Sequence, residues 1–181
     1  MLIHPDKSCL LVVDIQEKLA PAIYEKERLI KNSKWLIEIA TILNVPILTS
    51  EQYPQGIGHT IAELKAILPE DQYMEKTHFS CMSEPSCQQI IKDRKLDQMV
   101  IIGMESHVCV MQTAIQLKQQ DYDVYVVADC VSSRNPEDKA CALERMRGCG
   151  IHIVTREMVA FEWMQKSGTD TFKRISKEYL R

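Results

Sequence analysis

Three residues of this 181-residue chain combine a chemical type with a position that suits catalysis by a nucleophile. Asp14 ends the apolar run "CLLVVDI", Lys76 lies in "YMEKTHF", and Cys109 closely follows the apolar run "QMVIIGM". A carboxylate takes a proton, a lysine stabilises negative charge, and a cysteine attacks a carbonyl carbon. If the fold brings the three side chains together, they predict covalent chemistry on a thiol.

Each of these residues also has an ordinary structural explanation when it is considered alone. Asp14 can cap a helix or bind a loop backbone. Lys76 can be a solvated lysine at the end of a strand, and Cys109 can be a small packing residue. The occurrence of all three at three different strand ends is what favours chemistry.

Apolar runs alternate with helical patterns along the whole chain, which predicts an α/β fold. Strands are predicted at 8–15, 45–50, 72–79, 98–104, 122–130 and 150–155. Helices are predicted at 27–43, 59–68, 84–96, 108–120, 136–147 and 156–180. Strands joined by helical crossovers form a parallel sheet. We therefore predict a single domain, residues 1–181, built as a three-layer α/β/α sandwich with a mostly parallel six-stranded sheet.

Ligands of such sheets bind outside the carboxyl ends of the strands, where Asp14, Lys76 and Cys109 are predicted to lie. Cys109 is expected in the first turn of a helix, whose amides and a nearby cation lower the pKa of a thiol. The same amides can stabilise an oxyanion. Neither G-x-G-x-x-G nor G-x-x-x-x-G-K-[ST] occurs in the sequence, which disfavours nucleotide binding.

Composition excludes several other classes of protein. The net charge is −3, from 22 basic and 25 acidic residues without long blocks of one sign, so no nucleic-acid partner is predicted. No apolar run approaches the ~20 residues that span a bilayer, and no signal peptide is recognised, so we expect no membrane partner and a cytoplasmic protein. The seven cysteines lack a C-x-x-C pair, which disfavours a disulfide framework or a structural zinc site.

Four segments resemble the isochorismatase-like cysteine hydrolases. "LLVVDIQEKL" is similar to the family's first-strand motif, "EKTHFS" to its K-T-x-F-S segment, "GMESHVCVMQTAIQL" to its nucleophile segment, and "DVYVVADCVSSR" to the segment that follows. The resemblance spans most of the chain and the four pieces occur in the family's order. It implies the Rossmann-like isochorismatase fold, in a subgroup known mainly as isochorismatase domain-containing proteins.

The resemblance implies a function and assigns roles to residues. Asp14, Lys76 and Cys109 match the family's catalytic triad, which cleaves a small amide- or ureide-type C–N bond by acyl transfer through a covalent thioester. The family's cis peptide falls at Met104-Glu105, and the backbone amides of Glu105 and Cys109 would form the oxyanion hole. The implied partner is a small-molecule substrate, and the family also implies a homo-oligomer.

Two departures from relatives narrow this expectation. Nicotinamidases of the family carry a metal-binding D-x-H motif after the second strand, whereas this chain has "TSEQYPQGIGHTIAEL", and its five histidines show no ligand-like clustering. We therefore predict no metal and no cofactor. Isochorismatases proper lack a catalytic cysteine at this position, so cleavage of isochorismate is disfavoured as well.

Neighbours of the three residues are candidates for the substrate-binding wall, because they flank the strand ends: Gln16, Tyr53, His78 and Phe79. Each of these four also has a purely structural explanation. His107 is expected to cap or pack rather than to serve as the base for the cysteine. The side chain of Glu105 is expected to bond a loop backbone or a neighbouring basic residue.

Two other classes of function stay open at this point. A binding or scaffold protein can keep the fold without turnover, although all three triad positions are retained. A thiol redox enzyme can cycle Cys109 through sulfenic acid, but it needs a resolving thiol, and the sequence identifies no obvious partner cysteine.

Overall fold

One six-stranded sheet forms the centre of the computed structural model, which describes residues 1–180. All neighbouring strands are parallel, in the order β3-β2-β1-β4-β5-β6. The strands are β1 (Ser8–Val13), β2 (Ile47–Gln52), β3 (Tyr73–Lys76), β4 (Gln98–Met104), β5 (Asp123–Ser132) and β6 (His152–Val154). The predicted α/β architecture with a six-stranded sheet is confirmed.

Three of the four inner strands of the sheet, β2, β1 and β4, are buried at every position. A parallel strand covered by helices on both faces reads as a continuous apolar run rather than as an alternating one. This explains the runs "SCLLVV" and "QMVIIGM" in the sequence. It also explains why a polar residue at the end of β1 becomes deeply buried.

Helices cover both faces of the sheet and complete the three layers. They are α1 (Lys26–Ile42), α2 (Pro54–Ile57), α3 (Ala62–Lys65), α4 (Pro85–Asp93), α5 (Met111–Gln119), α6 (Pro136–Gly148), α7 (Arg156–Met164) and α8 (Asp170–Tyr179). Apolar side chains of α1, α7 and α8 fill the core on one face, and those of α4, α5 and α6 fill the other. Within residues 1–180, no helix has the length and apolar character needed to cross a membrane.

The helix predicted over 59–68 is much shorter in the structure and consists of α3 alone. The preceding residues are held in an extended conformation. The backbone N–H of Thr60 donates to Glu51 Oε1 at 2.7 Å, and Thr60 forms an antiparallel bridge with Gln16. Because these tertiary bonds occupy the backbone before residue 62, the helix begins later than the apolar spacing suggests.

The single helix predicted over 156–180 is divided into α7 and α8 in the structure. Gly168 adopts a positive φ of 85° between them, a conformation that interrupts a right-handed helix. Thr169 then accepts a hydrogen bond from the N–H of Phe172 and caps α8.

Close contact between β1 and β4 depends on Gly103. This residue pairs with Val13 and has a φ of 127°, and a Cβ built on it would lie 2.0 Å from the carbonyl oxygen of Val13. Only glycine fits this backbone without displacing a strand. The close approach sets β4 beside the end of β1, immediately before Asp14.

Candidate active site

Three chain segments converge at the carboxyl edge of the sheet. Asp14 follows β1, Lys76 is the last residue of β3, and Cys109 lies in a π-helical turn (Ser106–Val110) between β4 and α5. Lys76 Nζ donates to Asp14 Oδ2 at 2.8 Å, and the negative charge of the Asp14 carboxylate acts on the nearby thiol of Cys109. One carboxylate therefore bonds an ammonium and lies near a thiol.

Burial separates these three residues from ordinary surface polar groups. The exposed fraction is 0% for Asp14, 2% for Lys76 and 6% for Cys109. The solvated-lysine explanation for Lys76 is therefore wrong, and the carboxylate of Asp14 bonds to side chains instead of capping a helix. Buried charges of opposite sign are tolerated when they are paired and hydrogen-bonded, as they are here.

The ammonium of Lys76 has an acceptor for each of its three N–H groups. Besides Asp14, these acceptors are Gln52 Oε1 at 2.6 Å and the carbonyl oxygen of Phe79 at 2.9 Å. A lysine ammonium has three donors. In this arrangement Lys76 supplies charge to the site, and all of its hydrogen-bond donors are already engaged within the protein.

Ser50 orients the carboxylate from the opposite side. Its hydroxyl donates to Asp14 Oδ1 at 2.7 Å, and its carbonyl oxygen accepts from the N–H of Asp14 at 3.1 Å. Asp14 itself adopts a left-handed conformation with φ 51°, which aspartate tolerates better than most residues. The two oxygens of the carboxylate thus have different partners, with Ser50 on one and Lys76 on the other.

The environment sets the protonation of the three groups. Burial raises the pKa of Asp14 above its ordinary value, although Lys76 and the hydrogen bonds of the site oppose the rise. Burial is the largest effect on Lys76 and acts to lower its pKa, but the charge and hydrogen bond of Asp14, together with the neighbouring Cys81 and Cys109, outweigh it, and the pKa of Lys76 is raised. Lys76 is therefore charged at neutral pH.

The thiol of Cys109 has a raised pKa rather than the lowered one expected from its place before a helix. Burial is the larger cause, and the negative charge of Asp14 is the second, while Lys76 opposes both. The expectation of a lowered pKa for Cys109 was wrong, because the sequence does not reveal how deeply the sulfur is buried. Cys109 holds its proton at neutral pH.

The segment between β4 and the π-helical turn has the expected backbone. The Met104-Glu105 peptide bond is cis, as the sequence resemblance implied. The carboxylate of Glu105 accepts from the backbone N–H of Arg134 at 3.1 Å and from its Nε at 3.0 Å. The prediction that Glu105 bonds a loop backbone or a basic neighbour is confirmed on both counts.

The ring of His107 contacts Ser133 and Asp138. Its Nδ1 lies 3.0 Å from the hydroxyl of Ser133, and its Nε2 lies 3.9 Å from Asp138 Oδ2. These contacts connect the π-helical turn with the start of α6, which agrees with the packing role expected for His107.

The four residues predicted to form the substrate wall occupy two kinds of position. Gln16 is fully buried and uses its amide within the protein, whereas Tyr53 and Phe79 are 53% and 55% exposed. His78 is exposed, and its Nδ1 lies 3.0 Å from Glu84 Oε2. The two aromatic rings therefore have free surface, while the amide of Gln16 does not.

Sequence reasoning assigned no role to three residues around the central trio: Ser50, Gln52 and Cys81. Ser50 was recognised only as a polar residue at the end of the predicted second strand. Gln52 lies two residues further along β2, beyond the predicted end of that strand. Cys81 is buried near Lys76, and its backbone N–H donates to Thr113 Oγ1 at 3.1 Å, a tertiary contact that no local sequence signal reveals.

Glu51 and His59, the polar groups nearest to the family's metal motif, bond to each other and to Thr60. Glu51 Oε2 lies 2.8 Å from His59 Nδ1, and Oε1 accepts from the N–H and the hydroxyl of Thr60 at 2.7 and 2.8 Å. Burial acts to raise the pKa of Glu51, but these hydrogen bonds outweigh it and lower the pKa. Among residues 1–180 no group of three or more His, Cys, Asp and Glu side chains is arranged to hold a metal ion.

Comparison with known proteins identifies the class to which this fold and site belong. The model of the isochorismatase domain matches residues 8–158. The chain therefore belongs to the isochorismatase family, and its fold is that of the family's hydrolases.

Individual relatives extend the match over almost the whole chain. Isochorismatase domain-containing protein 2 of Danio rerio is 38% identical over 173 residues, which cover 94% of this chain and 85% of that protein. A Caenorhabditis elegans structure described as MAR1 ribonuclease is 37% identical with a TM-score of 0.92, covering 100% of this chain and 93% of that one. The YcaC gene product of Escherichia coli, described as an octameric hydrolase of unknown specificity, is 24% identical with a TM-score of 0.88, covering 92% of this chain and 83% of that one.

Proposed function

We propose that this protein is a cysteine hydrolase that cleaves a small amide- or ureide-type C–N bond by acyl transfer, with Asp14, Lys76 and Cys109 as its catalytic residues. The observation that carries the proposal is the buried Asp14 carboxylate, which bonds the ammonium of Lys76 and lies near the buried thiol of Cys109. This arrangement provides a base, a fixed positive charge and a nucleophile at one point of the sheet.

The first step is proton transfer coupled to attack. Asp14 removes the proton of Cys109 as the sulfur bonds to the substrate carbonyl carbon, because the thiol holds its proton in the free protein. The raised pKa of Asp14 makes it a stronger base than an ordinary carboxylate. The backbone amides of Glu105 and Cys109 receive the oxyanion, and Lys76 remains protonated throughout.

The second step releases the amine and then the acid. Asp14 gives its proton to the leaving nitrogen as the C–N bond breaks, which leaves a thioester on Cys109. Asp14 next takes a proton from water as the water oxygen attacks the thioester carbonyl. The C–S bond then breaks, the acid departs, and the proton returns from Asp14 to the sulfur.

The exposed aromatic side chains support a site for a small molecule beside the thiol. Tyr53 follows β2 directly, and the backbone carbonyl oxygen of Phe79 accepts a hydrogen bond from Lys76. We propose that Tyr53, His78 and Phe79 contact the substrate. Gln16 supports the segment that carries Tyr53 and does not contact the substrate itself. Its amide nitrogen donates to the carbonyl oxygens of Gln52 and Gly58, which lie on either side of that segment.

Assembly and organisation belong to the same proposal. We propose that residues 1–181 are one catalytic domain that works as a homo-oligomer in the cytoplasm. The octameric state described for the Escherichia coli YcaC gene product supports the oligomer. Sedimentation velocity of the purified chain measures its oligomeric state directly.

The test is a hydrolysis panel of small primary amides and ureides, followed as ammonia release, with Cys109→Ala as the matched control. The proposal requires turnover of at least one substrate by the native protein, none by Cys109→Ala, and an acyl adduct on Cys109 in quenched mass spectra. An RNA oligonucleotide belongs in the panel, because one relative is described as a ribonuclease. RNA cleavage that persists in Cys109→Ala, without amide turnover, contradicts the proposal.

One observation favours a second candidate function, thiol redox chemistry. Cys81 is buried in the same core cluster as Cys109 and is one of the neighbouring groups that affect the pKa of the Cys109 thiol, so a second thiol is available near the first. In this alternative a peroxide oxidises Cys109 to the sulfenic acid, Cys81 condenses with it to a disulfide with loss of water, and an external thiol reduces the disulfide. Peroxide consumption that depends on added thiol and is lost in Cys81→Ser distinguishes it from hydrolysis.

A further inference from the structure

The side chain of Gln52 contacts the ammonium of Lys76, together with Asp14 and the carbonyl oxygen of Phe79. Its Oε1 accepts from Lys76 Nζ at 2.6 Å, the shortest of the three hydrogen bonds to that ammonium. Gln52 is 7% exposed and Lys76 is 2% exposed, so water does not replace this acceptor easily. The position of the ammonium therefore depends on Gln52 as well as on Asp14.

The orientation of the Gln52 amide is fixed by a second bond. Its Nε2 donates to the carbonyl oxygen of Thr77 at 2.7 Å. A carbonyl oxygen only accepts, so a rotated amide would lose this bond and would also place its NH₂ group against the ammonium of Lys76. The oxygen of Gln52 thus faces Lys76 in the only orientation that satisfies both partners.

The backbone of Gln52 is held equally firmly by the side chain of Gln16. The N–H of Gln52 donates to Gln16 Oε1 at 2.7 Å, and its carbonyl oxygen accepts from Gln16 Nε2 at 3.0 Å. Gln16 lies two residues after Asp14, so the segment that carries the carboxylate also fixes the residue that holds the ammonium. The two charges are therefore positioned by one connected set of bonds.

We infer that Gln52 is a positioning residue, which holds the Lys76 ammonium against Asp14 through its side-chain oxygen and so sets the geometry of the Asp14, Lys76 and Cys109 site. The inference deepens the proposed function and rests on it. Each polar group of Gln52 has a partner within the protein, so its bonds serve the site's geometry and not substrate binding. Loss of its oxygen therefore lowers kcat and leaves KM unchanged.

Two substitutions of similar volume separate positioning from mere structural support. Gln52→Met removes both the oxygen that faces Lys76 and the NH₂ group that donates to Thr77. Gln52→Glu keeps an oxygen for Lys76 but also removes the donor to Thr77. If the oxygen is what matters, kcat falls roughly tenfold in Gln52→Met, the loss of one hydrogen bond to a charged group, and is largely restored in Gln52→Glu.

A matched surface control and a readout without turnover complete the experiment. Gln89→Met changes an exposed glutamine of α4 that bonds Asp93, and it leaves kcat unchanged. Alkylation of Cys109 by acrylamide at pH 9, mapped by mass spectrometry, is expected to slow roughly tenfold in Gln52→Met, because a displaced ammonium stabilises the thiolate less. The alkylation rate of Gln52→Glu is expected to lie nearer to that of the native protein than to that of Gln52→Met.

The outcomes distinguish this inference from the proposed function. Equal losses of kcat in Gln52→Met and Gln52→Glu, or a rise in KM with unchanged kcat, overturn the positioning role. Unchanged alkylation of Cys109 in Gln52→Met, with an unchanged melting temperature, overturns it too. If no amide in the panel is hydrolysed, the proposed function fails, and the alkylation rates still decide whether Gln52 controls the environment of the thiol.

Discussion

Replacement of Lys76 by methionine removes the charge that compensates the buried carboxylate of Asp14. Methionine has a similar length and fills the same space, but it donates no hydrogen bond. Asp14 then keeps only the Ser50 hydroxyl as a side-chain hydrogen-bond partner. Both side chains of the ion pair are 0% exposed in the native protein, so water cannot take the place of the ammonium.

The expected loss is large because a single charge is left behind. Breaking a buried ion pair by removal of one partner costs about 3–5 kcal/mol of stability. For a chain of this length, each kcal/mol lowers Tm by about 2–4 °C, so Lys76→Met is expected to melt about 6–20 °C below the native protein. The double variant Asp14→Asn with Lys76→Met removes both charges and is expected to recover most of the loss.

The loss also depends on pH in a defined direction. In Lys76→Met the folded-state pKa of Asp14 rises further above its unfolded value of about 3.9. An acid with a raised folded-state pKa penalises the folded state at pH above the unfolded pKa, and the penalty disappears when both states are protonated. The stability gap to the native protein is therefore expected to narrow as the pH falls from 7 towards 4.

Urea unfolding at pH 7 and pH 4.5, at one fixed protein concentration, measures these differences. Lys34→Met is the control, because Lys34 is a half-exposed lysine of α1 that lies 4.0 Å from Glu38, and its loss is expected to change stability by less than about 1 kcal/mol. A cost for Lys76→Met as small as that of Lys34→Met refutes the buried-pair reasoning. An equal cost at both pH values refutes the assignment of that cost to Asp14.

Three further outcomes follow from features outside the ion pair. Gly103→Ala forces a Cβ against the carbonyl oxygen of Val13 at a positive φ, and it is expected to lower stability by about 3 kcal/mol or more. Gly148→Ala in α6 is the control: a Cβ there meets no neighbouring atom, so Tm is expected to stay unchanged or to rise slightly. Glu51→Gln is expected to cost about 1–2 kcal/mol at pH 7. The pKa of Glu51 is lowered in the folded state, so its carboxylate stabilises the fold at pH values above the unfolded pKa, and this stabilisation is lost on acidification. The difference in free energy of unfolding between Glu51→Gln and the native protein is therefore expected to close below about pH 4 in urea unfolding. Iodoacetamide at pH 7.5 is expected to modify the exposed Cys141 and Cys149 within minutes, whereas the four buried cysteines other than Cys109 react only after unfolding; mass mapping locates the modified thiols.

The sequence predicted the strands and the carboxyl edge of the sheet well, because strands buried on both faces have a recognisable composition. Strands covered on both faces must be apolar throughout, so β1 and β4 were recognisable from composition alone. The carboxyl-edge rule then brought Asp14, Lys76 and Cys109 into one neighbourhood without any knowledge of strand order. The structure agrees with that neighbourhood and adds the direct bond between Asp14 and Lys76.

The contacts around the three residues could not be predicted, because they depend on register and on exact strand ends. The second strand was expected to end at residue 50, but it continues to Gln52, which turns its side chain towards Lys76. An error of two residues was enough to hide a direct partner of the ammonium. The protonation of Cys109 was missed for a related reason, since it depends on burial by distant segments and not on the adjacent helix.

Chain connectivity gives the Asp14–Lys76 bond a meaning for folding. The bond joins residues 62 positions apart, and β2 lies between the two strands that carry them. Closure of so long a loop is entropically unfavourable until the intervening pairings exist, and non-local contacts of this kind form slowly. A fragment or a partly folded intermediate that lacks β2 therefore has no assembled site, and recovery of the site on refolding reports completion of this half of the sheet.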